Sequence, residues 1–324
     1  MKKKFLIIQT AFIGDVILAT PVIEKLHRFY PDAEIDFLLR KGNESLLANH
    51  PFLRRIIIWD KKQNKISNLY NIIKTVRKNN YDVIIDLHRF FSSGIITALS
   101  RAGMKVCFNK NPISFLFTKS LPHTVGNKAN PVHEVDRNLS LIEFMTDNTP
   151  EKPKLYPSES DYAAVSKYKT QSYICIAPAS VWFTKQLPDY KWTELISHLN
   201  SEIPIFLLGA SQDINLCEAI KQNSKRTNIE NLAGSLNLMQ SAALIKDAKM
   251  NYVNDSAPLH LASAMNAPVT AFFLSTVPEF GFGPLSDNST IIQTKENLAC
   301  KPCGIHGFAA CPQKHFKCAS TILL

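Results

Sequence analysis

The chain has 324 residues, of which 45% are hydrophobic and 20% are charged. This length suits two domains of about 150 residues each, and the composition excludes a disordered or low-complexity protein. No apolar run reaches the roughly 20 residues needed to cross a bilayer. The basic start at residues 2–4 leads into a strand-sized apolar run without a small-residue cleavage site. We therefore expect no signal peptide and a cytoplasmic protein.

Lysine and arginine outnumber aspartate and glutamate by 37 to 27, which gives a net charge of +10. Such a surplus favours an anionic partner, such as a phosphorylated substrate or a phospholipid surface, although it can also serve solubility alone. The basic residues are spread along the chain, with a modest concentration at residues 61–78. Nothing resembles a nucleic-acid-binding module, so we expect no nucleic-acid partner.

The predicted elements of the first half alternate between strand and helix. The continuous apolar run at residues 4–9 predicts a strand covered on both faces, and a helical pattern follows from residue 15 to about residue 30. Further strands are predicted at 34–39, 56–59, 81–87 and 104–108, and further helices at 66–76 and 133–145. Strand, helix and strand at this spacing have the size of a βαβ unit.

A change in composition separates the two halves. Residues 147–160 are rich in Pro, Ser, Thr and charge, which predicts a linker. We place the first domain at 1–155, the linker at about 147–170 and the second domain at 171–324. The second half is predicted to contain strands at 173–177, 203–209, 229–234, 250–254 and 269–273, and helices at 189–199, 211–222, 238–248 and 258–265. This alternation predicts an α/β fold with parallel sheets, whose ligands lie beyond the carboxyl ends of the strands.

The loop after the first predicted strand ends in a carboxylate, Asp15. It occupies the usual place of a phosphate cradle but lacks the glycine patterns of dinucleotide-binding and P-loop proteins. A carboxylate there would also repel a phosphate. Asp15 is therefore either a helix N-terminal residue favoured by the helix dipole or a general base that faces a cleft.

The segment after the first strand of the second half, residues 177–188, combines small residues with one cation, Lys185. Small side chains let the backbone approach a ligand. A lysine in a loop can simply be solvated, but its position at the carboxyl end of a strand favours a phosphate-binding role.

The block Asn254-Asp255-Ser256-Ala257-Pro258-Leu259-His260 ends a strand and begins a helix. Asp255 or Ser256 can cap this helix, and Pro258 suits its first turn. Such an N-terminus directs N–H groups and a positive dipole end at a diphosphate without any metal. The alternative is a well-capped helix that binds nothing.

Four of the seven cysteines cluster near the end of the chain, with two histidines between them. C-x2-C followed by two more cysteines suggests a zinc site, but the second spacing is wider than that of a zinc ribbon. Ordinary thiols or a redox-sensitive pair remain the alternative. The candidate ligands are Cys300, Cys303, Cys311 and Cys318. The other three cysteines, Cys107, Cys175 and Cys217, fall in predicted elements, where we expect buried apolar thiols.

Five motifs follow one another along nearly the whole chain. They are Ile13-Gly14-Asp15-Val16 with Thr20-Pro21; Tyr81-Asp82-Val83-Ile84-Ile85-Asp86-Leu87 followed by His88; Lys185 with Leu187-Pro188 and Trp192; Asn254 through Ala262; and the cysteine tail. In this order they resemble glycosyltransferase family 9, the ADP-heptose:lipopolysaccharide heptosyltransferases. The chain departs from the family pattern at His88, where Gln is common, at Leu187, where an aromatic residue is usual, and at Ala257, where Gly is usual.

The resemblance implies a GT-B architecture, in which two Rossmann-like domains face a central cleft, with the acceptor on the first domain and the nucleotide sugar on the second. It implies an inverting transfer of heptose from ADP-L-glycero-D-manno-heptose to a lipopolysaccharide inner-core acceptor, Kdo-lipid A or heptosyl-Kdo-lipid A, without metal or cofactor. Asp15 is implied as the base on an acceptor-side loop that includes Thr10, Phe12 and Gly14. The implied donor ligands are Ser180, Lys185, Asp255, Ser256 and His260.

This chemistry fits the residues independently. Inversion requires one base opposite the leaving group, and ADP leaves without a general acid because Lys185 and the helix dipole meet its charge. We expect Asp255 to point its carboxylate away from the phosphates. The net charge fits an acceptor that is a phosphorylated lipid at the inner face of the anionic inner membrane. We expect the protein to be a monomer. Many family members continue through another helix after the cysteine tail, so we expect this closing segment to be short or missing here.

Three other interpretations stay open. A family member could use another nucleotide sugar for surface-glycan assembly. A nucleotide-dependent oxidoreductase is disfavoured because the glycine fingerprint is absent. A non-catalytic binding protein is disfavoured because Asp15 and Lys185 are both present.

Overall fold

The computed structural model describes residues 2–324, which divide into two compact units. Unit 1 runs to Gly126 and resumes at Val132–Tyr156, and unit 2 consists of Asn127–Pro131 and Pro157–Leu324. No helix among the described residues is long and apolar enough to span a membrane.

Unit 1 is built on one six-stranded sheet whose paired strands are all parallel. Its strands are β1 (Lys4–Ile8), β2 (Glu34–Arg40), β3 (Leu53–Trp59), β4 (Val83–Asp86), β5 (Met104–Phe108) and β6 (Lys119–Leu121). Its helices are α1 (Ile13–Ile17), α2 (Thr20–Phe29), α3 (Lys65–Asn79), α4 (Phe91–Ala98) and α5 (Glu134–Ser140). The strand order is β3-β2-β1-β4-β5-β6.

Unit 2 contains a second six-stranded parallel sheet. Its strands are β7 (Ile174–Ala177), β8 (Ile205–Leu207), β9 (Ile229–Asn231), β10 (Met250–Asn254), β11 (Val269–Phe272) and β12 (Ser289–Ile292). Its helices are α6 (Glu159–Val165), α7 (Asp189–His198), α8 (Ile214–Asn223), α9 (Leu238–Lys246), α10 (Ala257–Ala264) and α11 (Lys317–Ser320). The order β12-β11-β10-β7-β8-β9 repeats that of unit 1 when its strands are numbered from β7.

Both sheets therefore have the strand order of a Rossmann fold, which confirms the predicted α/β class with two Rossmann-like domains. In this topology the strand order reverses beside the first strand, and ligands bind beyond the carboxyl ends at that switch point. The switch point lies between β1 and β4 in unit 1 and between β7 and β10 in unit 2.

The central strands are apolar because helices cover both faces of a parallel sheet. In β1, residues Phe5 to Ile8 have no exposed surface. Cys107, Cys175 and Cys217 lie in β5, β7 and α8 and are buried, as predicted for apolar thiols. The core of each unit thus fixes the strand ends from which the site loops leave.

The predicted helix at residues 15–30 is wrong in one respect, because the structure divides it into α1 and α2. Pro21 explains the break. Its ring would clash with the carbonyl of Ile17, four residues earlier, and it has no N–H to donate. That carbonyl accepts a hydrogen bond from the Thr20 hydroxyl at 2.7 Å instead. The interruption leaves α1 as a separate single turn that carries Asp15.

Other departures from the predicted elements lie at short segments. The predicted helix 133–145 ends as α5 at Ser140 and is followed by a 3₁₀ turn at Glu143–Met145. Helix α6 lies inside the predicted linker, where Ser158 and Asp161 form a capping box. Four further elements had no counterpart in the predicted series: α4, β6, β12 and α11. Elements of three to eight residues offer too little periodicity to be recognised in a sequence.

Candidate active site

Asp15 projects from α1, directly beyond the carboxyl end of β1 at the switch point of unit 1. Its carboxylate accepts a hydrogen bond from the Phe12 N–H at 3.0 Å. Burial raises the pKa of the Asp15 carboxyl, while this backbone hydrogen bond and the cations Arg89 and Arg40 oppose the rise. The result is a carboxylate of increased basicity at the expected ligand position.

A second carboxylate lies near Asp15 but is already paired. Glu134, at the start of α5, accepts from Arg137 Nε at 2.8 Å, and both side chains are almost fully buried. Burial raises the pKa of Glu134, Arg137 opposes the rise, and the Asp15 carboxylate raises it further. Of the two carboxylates, Asp15 is the one without a direct cationic partner among the described residues.

A chain of hydrogen bonds joins Lys61, Thr10 and His88, and Thr10 belongs to the loop that leads to Asp15. Lys61, which follows β3, donates from Nζ to the Thr10 hydroxyl at 2.7 Å. The Thr10 hydroxyl lies 3.2 Å from His88 Nδ1. The tautomer of His88 sets the direction of this second hydrogen bond, since a hydroxyl that accepts from an ammonium can still either donate or accept once more. Burial lowers the pKa of His88 to about 3, with Lys61 and Arg89 adding to the shift, so the imidazole is neutral.

These contacts change the role expected for Thr10. The residue lies on the predicted acceptor-side loop, but it is only 2% exposed and both of its hydroxyl contacts are internal. It therefore positions Lys61 and His88. Phe12 is exposed on the same loop, with the Arg40 guanidinium 4.7 Å from its ring centroid, and Gly14 is a half-buried part of α1.

Four residues of this site were not among the predicted ligands: Arg40, Lys61, His88 and Arg89. Each ends or closely follows a strand of the sheet at its carboxyl edge, β2 for Arg40, β3 for Lys61 and β4 for His88 and Arg89, and that position was the available signal. Three of them carry positive charge, because burial and Arg40 lower the pKa of Lys61 only to about 8. The loops beyond this edge of the unit 1 sheet thus combine one basic carboxylate with three cations. This combination suits an anionic ligand with a hydroxyl group from which the carboxylate can accept a proton.

In unit 2, Asn254 locks the predicted phosphate-binding loop to the sheet. It ends β10, is fully buried, and accepts the Leu187 N–H at 3.0 Å while its amide donates to the Pro178 carbonyl at 2.7 Å. Both ends of the loop are therefore held by one side chain. Its position at the head of the Asn254–His260 motif was the sequence signal for this role.

Lys185 lies at the end of a 3₁₀ turn in that loop and pairs with Asp255, with Nζ and Oδ2 2.6 Å apart. The Thr276 hydroxyl donates to the same carboxylate oxygen at 2.7 Å. We expected Asp255 to point away from the phosphate site, and it instead contacts the lysine assigned to that site. Since an ammonium has three donors, Lys185 keeps two for a ligand. Asp255 is thus a positioning residue for Lys185.

Ser256 precedes α10 as its N-cap, yet its side chain makes no capping hydrogen bond with a described residue. Its hydroxyl lies 3.4–3.5 Å from the carbonyls of Asn254 and Ala179 instead. Within the first turn of α10, Pro258 has no N–H and the Leu259 N–H donates to the Ser256 carbonyl at 3.0 Å, so the Ala257 N–H and the positive end of the helix dipole are what this N-terminus offers to an anionic ligand. Ser180 is half-buried in the adjoining loop, and its N–H is 3.3 Å from Gln186 Oε1.

His260 lies one turn into α10 and is 5% exposed. Its ring centroid is 6.4 Å from that of Phe282 in an edge-on arrangement. Four of the five predicted donor ligands lie at the carboxyl ends of β7 and β10, namely Ser180, Lys185, Asp255 and Ser256. The fifth, His260, is buried within α10, where its ring faces Phe282.

The cysteine-rich tail packs against the Lys185 loop. Thr184 and Phe308 exchange two hydrogen bonds, from the Thr184 N–H to the Phe308 carbonyl at 3.1 Å and from the Phe308 N–H to the Thr184 hydroxyl at 2.8 Å. A Cβ on Gly307, which has φ +79°, would lie 3.0 Å from Lys185 Cγ. The tail therefore restrains the backbone that carries Lys185, which the sequence did not indicate.

The four clustered cysteines are free thiols. Cys300 Sγ lies 3.8 Å from His315 Nε2, and the Cys303 thiol donates to the Cys300 carbonyl. Across residues 2–324, no group of three or more His, Cys, Asp or Glu side chains is arranged to hold a metal ion. The geometry of Cys300, Cys303, Cys311 and Cys318 thus gives no support to the zinc interpretation.

Comparison with known proteins gives one consistent match. The family model for glycosyltransferase family 9 (heptosyltransferase) matches residues 69–306. Lipopolysaccharide heptosyltransferase 3 from Escherichia coli is 30% identical, over 86% of this chain and 85% of that protein. Among solved structures, a family 9 glycosyl transferase from Veillonella parvula DSM 2008 aligns with a TM-score of 0.78 at 20% identity, covering 89% of this chain and 85% of that one. The E. coli ADP-heptose LPS heptosyltransferase II aligns with a TM-score of 0.75 at 23% identity, covering 98% and 97%. These neighbours support the GT-B fold.

Proposed function

The chain belongs to glycosyltransferase family 9, the heptosyltransferases, and from this premise we propose that it transfers heptose from ADP-L-glycero-D-manno-heptose to the inner core of lipopolysaccharide. The acceptor is Kdo-lipid A or heptosyl-Kdo-lipid A. The names of its relatives, which act in lipopolysaccharide synthesis and include an ADP-heptose enzyme, support this choice.

On the acceptor side, Asp15 takes the proton from the attacking hydroxyl. The freed oxygen then bonds to the anomeric carbon from the face opposite ADP, so that one displacement inverts the configuration. Burial strengthens Asp15 as a base, since a raised pKa makes the carboxylate a better proton acceptor. Arg40, Lys61 and Arg89 hold the acid groups of the acceptor, a sugar acid or a phosphate.

On the donor side, the bond between the anomeric carbon and the diphosphate oxygen breaks, and its electron pair stays on ADP. Lys185 and the N-terminus of α10 stabilise the charge that develops on this oxygen. Asp255 and Thr276 keep the Lys185 ammonium in place. Because these groups are fixed before the reaction, no general acid is needed on the leaving group.

One observation carries the proposal: two Rossmann-like units hold complementary chemistry at equivalent switch points. Unit 1 places a desolvated carboxylate among cations, and unit 2 places a lysine beside a helix N-terminus. The test is incubation of the purified chain with ADP-heptose and deacylated inner-core acceptors, followed by mass measurement. We expect a product heavier by one heptosyl residue. Absence of any transfer from ADP-heptose to either acceptor would overturn the assignment.

A donor screen distinguishes this function from transfer of another sugar, which the Leu187 and Ala257 replacements leave open. Each nucleotide sugar is supplied at the same concentration with the same acceptor, and the product mass identifies the sugar. We expect ADP-heptose to give the highest kcat/KM. A different sugar nucleotide with a higher value would retain the enzyme class and change the donor.

We also propose that the transfer needs no metal ion, because Lys185 and α10 supply the positive charge that a divalent cation would supply elsewhere. Turnover measured after dialysis against EDTA is expected to equal the untreated rate. A loss of turnover that returns on addition of Mg²⁺ or Zn²⁺ would contradict this, and return with Zn²⁺ alone would direct attention to the four clustered cysteines.

A further inference from the structure

One stretch of unit 1 combines positive charge with exposed aromatic residues. From Leu87 to Gly126 the sequence contains five lysines and arginines and no aspartate or glutamate. Within it, Phe90, Phe91, Phe115 and Leu116 are each more than half exposed. Large apolar side chains that are solvent-exposed in a group mark an interaction surface, whereas scattered ones need no explanation.

Hydrogen bonds hold the two parts of this stretch together. The Asn111 amide, in the loop after β5, donates to the Phe90 carbonyl at 3.2 Å. Gly94 in α4 lies so close to this loop that a Cβ would clash with Asn111 Oδ1. Phe115 and Leu116 form the 3₁₀ turn that ends the same loop. The segment with Phe90 and Phe91 and the loop with Phe115 and Leu116 are therefore neighbours in unit 1, and we call their four exposed apolar side chains the aromatic patch.

Basic side chains border the aromatic patch. Lys110 is exposed beside Asn111, and Lys119 follows the 3₁₀ turn, with its ammonium 3.9 Å from the centroid of the exposed Phe144 ring. A soluble anionic ligand would need the cations alone. The combination with protruding phenylalanine and leucine side chains is typical of surfaces that enter the headgroup region of an anionic bilayer.

The aromatic patch also adjoins the candidate active site. The Phe90 ring centroid lies 4.6 Å from that of His88, and His88 is bonded to Thr10 in the loop that leads to Asp15. A lipid acceptor whose chains remain in the bilayer has its sugars near the headgroups. A membrane contact at this position thus delivers the sugars to the loop of the base.

We propose that the aromatic patch, with Lys110 and Lys119, docks unit 1 onto a bilayer that contains anionic phospholipid. The inference rests on the proposed function, because it takes the acceptor to be a lipid. Each lysine near an anionic membrane changes the partition coefficient about fivefold. Phe115 and Leu116 contribute through burial of their apolar surface.

The experiment is co-sedimentation of the full chain with vesicles of phosphatidylethanolamine and phosphatidylglycerol, compared with vesicles that lack phosphatidylglycerol. Phe115→Ser with Leu116→Ser is expected to weaken binding about tenfold or more. Lys110→Gln with Lys119→Gln is expected to weaken it about 25-fold at low salt. Matched controls lie on α3 of the same unit: Ile66→Ser with Tyr70→Ser, and Lys74→Gln with Lys78→Gln, all exposed residues.

The outcomes separate the proposals. Loss of vesicle binding in the patch variants alone, with unchanged transfer to a deacylated, water-soluble acceptor, supports docking. Equal losses in the α3 controls, or patch variants that bind like the parent chain, overturn it. Dissociation of a dimer by Phe115→Ser with Leu116→Ser, seen by analytical ultracentrifugation, would assign the patch to a second copy and overturn it as well. Failure of the parent chain to transfer heptose would refute the proposed function. Vesicle binding is measured without substrates, so its result does not depend on that activity.

Discussion

The two switch points share a strand order but differ in how they treat their charged residue. Asp15 in unit 1 receives a backbone hydrogen bond and is desolvated, and among residues 2–324 the cations that affect its pKa form no direct ion pair with it. Lys185 in unit 2 is held by a direct ion pair with Asp255, which is itself fixed by Thr276. Among the residues that the structure describes, the same scaffold thus leaves the Asp15 carboxylate without an ion-pair partner and pairs the Lys185 ammonium with a carboxylate.

This difference matches two chemical tasks. A base must bind a proton reversibly, so a direct cationic partner would lower its pKa and weaken it. A phosphate-binding cation must stay charged and in position, and a buried carboxylate partner achieves both. Asp15 is therefore expected to control turnover, and Lys185 nucleotide affinity.

The largest expected effect is that of Asp15. Asp15→Asn keeps an acceptor for the Phe12 N–H but cannot take a proton, so we expect kcat to fall about 10²- to 10⁴-fold. Asp15→Ala should give a loss of similar size, because both variants lack the base. Steady-state transfer to the deacylated acceptor measures both.

The acidic side of the wild-type pH–rate profile provides a control. Because burial raises the pKa of Asp15, kcat/KM should rise with pH through a midpoint above the ordinary aspartate value of 3.8. The residual rate of Asp15→Asn should lack this rise. A variant that retains both the rise and the rate would assign the base to another group.

The second effect concerns Lys185 and Asp255. Lys185→Ala removes the phosphate cation and leaves the Asp255 carboxylate, 5% exposed, without its ion-pair partner. We expect ADP affinity to fall about 10- to 100-fold and the free energy of unfolding to fall by about 3 kcal/mol. Isothermal titration and urea denaturation measure the two losses.

The double variant Lys185→Ala with Asp255→Asn separates these losses. Asparagine carries no charge and still accepts the Thr276 hydrogen bond, so stability should recover while ADP affinity stays low. Recovery of both quantities would mean that Lys185 acts only through the fold.

A smaller effect is expected from Lys61. Its ammonium is present below a pKa of about 8, which burial and Arg40 lower from the usual lysine range, and is lost as the pH rises above that value. The acceptor KM should therefore increase above pH 8. Lys61→Met should raise KM about tenfold at pH 7 and remove this increase. The exposed neighbour Lys62→Met serves as the control and should change neither.

The smallest effect is expected at the contact between the cysteine-rich tail and the Lys185 loop. Gly307 and Gly304 both have positive φ, +79° and +78°, so alanine costs a similar backbone strain at each. Only at Gly307 does the new Cβ approach Lys185 and Thr184, at 3.0 Å. Gly307→Ala should raise the Kd for ADP about threefold relative to Gly304→Ala. Equal values in a parallel titration would remove the tail from donor binding.

The sequence could predict the fold because its strongest signals are the longest. The apolar runs at β1, β4 and β7 mark strands buried on both faces, and together with β10 these strands define the two switch points. The break between α1 and α2 was missed, although Pro21 carries the signal, because the apolar spacing continues across it. Short elements such as β6 and α4 form because of tertiary contacts, which local sequence patterns do not predict.

The candidate site was predictable only where one residue stands at a strand end. Asp15, Lys185 and Asp255 belong to motifs and could be named. The pairing of Lys185 with Asp255, and the chain from Lys61 through Thr10 to His88, join residues from distant parts of the sequence. Which partners meet depends on strand order and on loop packing, so these contacts required the structure.

The most direct test of the division between the two switch points is titration of ADP into Asp15→Asn, with the wild-type chain measured in parallel. The account predicts the same Kd for both, although the kcat of the variant is about 10²- to 10⁴-fold lower. A Kd for Asp15→Asn that is raised as strongly as that of Lys185→Ala would place Asp15 in the nucleotide site and contradict its assignment as the base.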